Sequence, residues 1–134
     1  VVAVLIALSF VQGAFAQRTA ARSADELAGT LQQAVMSADA ALLMRQAAET
    51  VEIDLFGERR FYSRGQATLL LNDLFKQRSP ESARVIQTRR TPTAAFLEVR
   101  VESSDGSSAE WLVRYALQRG DWRIRELTVE ETDD

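Results

Sequence analysis

Residues 51–67, VEIDLFGERRFYSRGQA, decide how the chain is to be read. Val51, Ile53 and Leu55 alternate with Glu52 and Asp54, the period-two pattern of a strand with one buried face. Gly57 to Arg60 turns the chain, and Phe61 with Tyr62 supplies a brief return strand. The next four residues, SRGQ at 63–66, spell a capping box: the Ser63 hydroxyl accepts from an amide three residues on while Gln66 reaches back. Ala67, Leu70, Leu71, Leu74 and Phe75 then follow the i, i+3, i+4, i+7, i+8 spacing of a core-facing helix. A short hairpin therefore runs straight into a helix. Ser79 and Pro80 end that helix, because the residue before a proline is pushed out of the helical region.

Upstream, SADE at 23–26 is another capping box. Leu27, Leu31 and Val35 recur every four residues on a helix that runs to about Met36. SADA at 37–40 is a second start signal, and Leu42, Leu43 and Ala47 continue on a new stripe to about Glu49, so two short helices are expected to meet at an angle.

Downstream, every segment reads as a strand. The first covers about Ala83 to Arg90 and the second Ala94 to Glu102, where Ala95, Leu97, Val99 and Val101 share one face. SSDGSS at 103–108 is a polar hairpin loop. The third strand, Ala109 to Gln118, alternates Trp111, Val113, Tyr115 and Leu117. RGD at 119–121 is the next tight turn; it also spells an adhesion motif, but Gly-Asp between two strands is turn chemistry first. The last strand starts with Trp122 and Ile124 and resumes with Leu127 and Val129 on the opposite parity, which predicts a β-bulge near Arg125 or Glu126.

Composition narrows the function classes. The chain has 134 residues, no His and a net charge of −3, and all its charges follow residue 16. One domain is the expectation at this length. Without His or Cys there is no Ser-His-Asp triad, no zinc site and no disulfide framework, and no cofactor or metal is expected. The acidic balance argues against a nucleic-acid partner, and the basic residues are all Arg except Lys76. Residues 1–16, VVAVLIALSFVQGAFA, are uncharged and end in Ala-Phe-Ala, which reads as a signal peptide cleaved after Ala16. The run is shorter than the roughly 20 apolar residues of a spanning helix, so no stable membrane insertion is expected after cleavage. The expected organisation is a flexible leader at 17–22, a domain at 23–131 and an acidic tail at 132–134, in an exported protein that is periplasmic or secreted.

Two or three helices followed by a strongly bent, mostly antiparallel sheet is an α+β arrangement in which the sheet wraps round the helices. SADAALLMRQAAETVEIDL at 37–55, FYSRGQATLLLNDLF at 61–75 and GDWRIRELTVE at 120–130 resemble the nuclear transport factor 2-like superfamily, a cone-shaped, cystatin-like α+β fold. Within it the chain is similar to a small family of exported bacterial domains of unknown function. The resemblance spans about Ser23 to Glu131 and implies a fold that hosts many unrelated activities.

Three constellations follow. In the isomerase branch of the superfamily a general-base Asp lies in a strand before a turn, and VEIDLFG resembles that segment, which makes Asp54 a catalytic candidate in a cofactor-independent isomerase or dehydratase. Those enzymes also use a Tyr in the first helix, and here no Tyr precedes Tyr62. Alternation puts Asp54 opposite Val51 and Ile53, beside water, so a solvated strand residue is the simpler reading. Glu52 and Asp54 lie about 7 Å apart on one strand face, a glycosidase-like spacing that lacks a cleft for a sugar. Second, Tyr62, Phe75, Trp111 and Tyr115, in the company of Phe61 and Trp122, are candidates for an apolar ligand pocket between sheet and helices, with plain core as the simpler reading. Third, Arg residues on the strands interleave with Glu98, Glu102 and Glu110, either as cross-strand ion pairs or as a face that pairs two subunits through Phe96, Leu112 and Arg114. The leading expectation is a non-enzymatic exported domain that binds a small apolar ligand or an envelope protein; a structural dimerisation module is the further alternative.

Overall fold

The structure, a computed structural model, describes residues 23–132; the expected signal peptide, leader and most of the acidic tail lie outside the described residues. Helix α1 spans Ala24–Met36, with the Ser23 hydroxyl accepting from Glu26 N at 3.2 Å and Asp25 and Glu26 in its first turn, where they complement the helix dipole. Leu27, Leu31, Ala34 and Val35 are buried, as the spacing predicts. The helix ends in a Schellman motif: Ala38 N donates to Val35 O and Asp39 N to Ala34 O, both at 3.0 Å, around an Ala38 held at φ 52°. Asp39 then caps the next helix at once, its Oδ1 accepting from Leu42 N at 3.0 Å.

That helix, α2, covers only Ala40–Met44, and strand β1 begins at Ala47, well before the expected Val51. The reason is tertiary. Ile124 N donates to Gln46 O at 2.8 Å and Ala47 pairs in parallel with Ile124, so a distant strand captures an alanine-rich stretch whose local preference is helical.

Strand β1, Ala47–Leu55, turns into β2, Glu58–Ser63, through two residues, Phe56 and Gly57, at φ 54° and 96°. Two positive φ angles in a two-residue loop make a type I′ turn, whose twist matches the flanking strands. The turn is tighter and the return strand longer than the sequence suggested. Helix α3, Arg64–Gln77, carries the complete capping box: Gln66 N donates to the Ser63 hydroxyl and Ser63 N to Gln66 Oε1, each at 3.2 Å. It buries Ala67, Leu71, Leu74 and Phe75.

Strands β3 (Pro80–Arg90), β4 (Ala94–Ser103), β5 (Ser108–Gln118) and β6 (Asp121–Glu131) complete one sheet in the order β2-β1-β6-β5-β4-β3, antiparallel except for the β1–β6 pair. Pro80 can open β3 because it heads an edge strand. The Arg119-Gly120 turn, at φ 51° and 79°, gives RGD a structural role. Arg114 pairs with Glu126 and Tyr115 with Ile124, which leaves Arg125 as the extra residue of the expected bulge. The curved sheet holds the helices against one face, where Ala95, Leu97 and Val99 of β4, Trp111, Val113 and Tyr115 of β5, and Ile124, Leu127 and Val129 of β6 are all buried with the helical stripes.

Candidate functional site

The strand registers set out the outer face of the sheet in two rows. One crosses Gln87, Glu98, Leu112, Thr128, Asp54 and Arg59, from β3 to β2. The other crosses Arg89, Phe96, Arg114, Glu126, Glu52 and Phe61. Asp54 therefore belongs to the face turned away from the helices. Its Oδ1 accepts from Gly57 N at 2.9 Å and its Oδ2 lies 3.4 Å from Arg59 Nε, while Arg59 also binds Glu52 at 2.8 Å. The carboxylate thus closes the hairpin turn and anchors Arg59, whose guanidinium is held above its ordinary pKa chiefly by the charge of Glu52 and then by the hydrogen bond to Asp54.

The same rows bring together all three interface candidates. Phe96, Leu112 and Arg114 line a groove of about 280 Å³ with Gln87, Arg89 and Glu126 among its other walls. Phe96 is 36% and Leu112 38% exposed, high for large apolar side chains in central strands. Arg89 sits over the Phe96 ring at 5.4 Å, a cation–π contact. Arg114 donates to Glu126 at 3.0 Å; this hydrogen bond lowers the Glu126 pKa and raises that of Arg114. Charge is unevenly spread along these two rows: the β3–β5 flank carries Arg89 and Arg114 against Glu98, and the β6–β2 flank carries Glu126, Glu52 and Asp54 against Arg59.

The four ligand-pocket candidates fall on the inner side of the sheet. Phe75 and Trp111 stack with centroids 5.8 Å apart and planes 8° from parallel. The space they line, roofed by Phe56 and Arg78, is about 10 Å³, on the order of one water. Tyr115 is fully buried in the core and Tyr62 packs half-buried against its edge. Phe61, grouped with these aromatics in the sequence, is instead 71% exposed at the end of the second outer row. Sequence reasoning did not find Gln87, Thr128 or Glu126 as walls of this groove: Gln87 lies on β3 and the other two on β6, and only the registers bring them beside Phe96, Leu112 and Arg114.

Solved structures share this architecture. A DUF4783 family protein from Bacteroides uniformis ATCC 8492 superposes with a TM-score of 0.75 at 10% identity, over 79% of this chain and 97% of that one. An NTF-2 like protein of unknown function from Silicibacter pomeroyi DSS-3 gives 0.59 at 19% identity, over 78% and 88%. A domain of unknown function with a cystatin-like fold from Nostoc punctiforme PCC 73102 gives 0.66 at 16%, over 85% and 81%. At these identities the likeness is one of fold. No curated protein matches the chain. Residues 28–130 match the family described as a domain of unknown function, DUF4783, and the chain belongs to that family.

Proposed function

We propose that this is an exported, non-enzymatic interaction module that pairs with a second copy of itself through the outer face of the sheet. The observation that carries the reading is the groove around Phe96 and Leu112, apolar at its centre, with a net positive charge on the β3–β5 flank of its two rows and a net negative charge on the β6–β2 flank. An isologous contact needs one patch that complements itself. A two-fold axis along β5 sets the Arg89 flank of one copy over the Glu52 flank of the other and leaves Leu112 at the axis. The area is sufficient. Six strands spaced by about 4.8 Å and averaging about 33 Å in length offer a face of roughly 800 Å², about what each partner contributes to a stable complex. The interior supports the same reading, since the Phe75–Trp111 stack leaves no room there for a ligand larger than water without rearrangement.

Light scattering over a concentration series tests this. Twice the protomer mass at tens of micromolar is expected, with reversion to one protomer in the double variant Phe96→Glu, Leu112→Arg. Both side chains already touch solvent, so the variant should keep its circular dichroism spectrum. A wild-type protein that stays at one protomer mass throughout the series contradicts the proposal.

A further inference from the structure

At the other end of β6 the sheet is interrupted in a way that the outer face does not explain. β1 pairs with β6 at Ala47–Ile124 and again at Glu52–Glu126, so residues 48–51 stand opposite Arg125 alone. The two strands part there and leave an open cleft of about 870 Å³, floored by Ala48 and walled by Arg64 at the start of α3, Arg119 in the β5–β6 turn, and Arg123 and Arg125 on β6. Bulges commonly re-aim side chains at sites of function.

Four guanidiniums face two carboxylates in this cleft, Glu49 and Asp121. Asp121 is taken by Arg123 at 2.9 Å, and Arg123 also donates to Arg45 O at 3.1 Å. The guanidinium groups of Arg64, Arg119 and Arg125 have no ion-pair or hydrogen-bond partner among the described residues, and in the cleft only Glu49 opposes them. In a chain of net charge −3 this is a local excess of two positive charges. Ordinary surfaces intersperse their signs because clustered like charges repel; a cluster left unneutralised raises the local concentration of small anions. Guanidinium forks match carboxylate and phosphate oxygens in particular.

We propose that the β1–β6 cleft binds a small ligand with two negative charges on oxygen, a phosphate ester or a dicarboxylate, held by Arg64, Arg119 and Arg125. Glu49 accepts from ligand hydroxyls beside the anion. The two excess charges set the ligand's charge, and the acidic chain as a whole disfavours a long polyanion.

The test is amide NMR titration of the protein at low salt with inorganic phosphate and, separately, with malonate. Saturable shifts centred on residues 48–50, 118–120 and 123–125 are expected for at least one probe, and the stronger of the two identifies the ligand class. Arg64→Gln and Arg125→Gln should each weaken binding about tenfold, the loss of one charge-assisted contact. Arg84→Gln, on β3, should leave it unchanged. Absence of saturation by about 10 mM of either probe, or equal weakening by Arg84→Gln, overturns the proposal. Both cleft substitutions fall at exposed positions, so a preserved spectrum in the unliganded variants separates lost binding from lost fold.

Discussion

Replacing Asp54 separates its two structural contacts from any role as a base. Its Oδ1 receives the Gly57 amide at 2.9 Å, and its Oδ2 meets a solvent-exposed Arg59 at 3.4 Å. Asp54→Ala leaves the turn amide without its side-chain acceptor, as in the loss of a helix cap, and should cost about 1 kcal/mol. Asp54→Asn keeps an oxygen in place and gives up only the charge. The Arg59 contact contributes little, because the guanidinium is in water and Glu52 still holds it at 2.8 Å. Asn should therefore cost no more than a few tenths of a kcal/mol, on the scale of an exposed ion pair. Urea unfolding reads the difference: with a slope of about 1–2 kcal/mol/M, the Ala variant's midpoint should fall by roughly 0.5–1 M and the Asn variant's hardly at all. An Asn variant as unstable as the Ala variant, or an Ala variant as stable as the parent, refutes the assignment of Asp54 to the turn.

Other substitutions follow from the same geometry. Ala38 occupies a left-handed position at φ 52° that glycine fills without a Cβ penalty, so Ala38→Gly should raise stability by about 0.5–1 kcal/mol in thermal or urea unfolding. Trp111→Ala removes the ring stacked on Phe75 from the centre of the core and should cost about 3–5 kcal/mol, with Trp111→Phe costing less; equal midpoints for parent and Ala variant would contradict the core assignment. Glu126 has a folded pKa below its unfolded value because Arg114 hydrogen-bonds its charged form. Its contribution is therefore complete above the unfolded pKa of about 4.3 and is lost as pH falls through the lower folded value. For so exposed a pair this is about 0.5 kcal/mol after solvent screening, and Glu126→Gln should flatten the acid limb of the stability profile by that amount.

The sequence is most legible where a local signal and the core agree. Ser63 and Gln66 start α3 because the cap and the Leu71, Leu74, Phe75 stripe both require it. The parity switch between Ile124 and Leu127 announces the bulge because one buried face cannot otherwise be kept. Where the two disagree, tertiary pairing prevails: Ala47 would continue a helix, but its pairing with Ile124 of β6 draws it into a strand. The outer face was legible only in part. Alternation alone assigns Asp54, Phe96, Leu112 and Arg114 to it, but which residues become neighbours depends on registers across six strands, two of them parallel and shifted. The basic cleft was invisible for the same reason, since Arg64 opens α3 while Arg119 and Arg125 lie far along the chain, in the β5–β6 turn and β6.

The most direct test of a covered outer face is methyl NMR of the unmodified protein with a soluble paramagnetic agent. In the isolated protomer Leu112 is 38% and Leu69, on the far side of α3, 68% exposed, whereas Leu71 is fully buried. If the outer face is paired, Leu112 methyl relaxation will be as little affected as that of Leu71 while Leu69 is strongly enhanced. If Leu112 instead responds to the agent in proportion to its protomer exposure at concentrations of tens of micromolar and above, the face is open and the account of this domain as a self-pairing module is wrong.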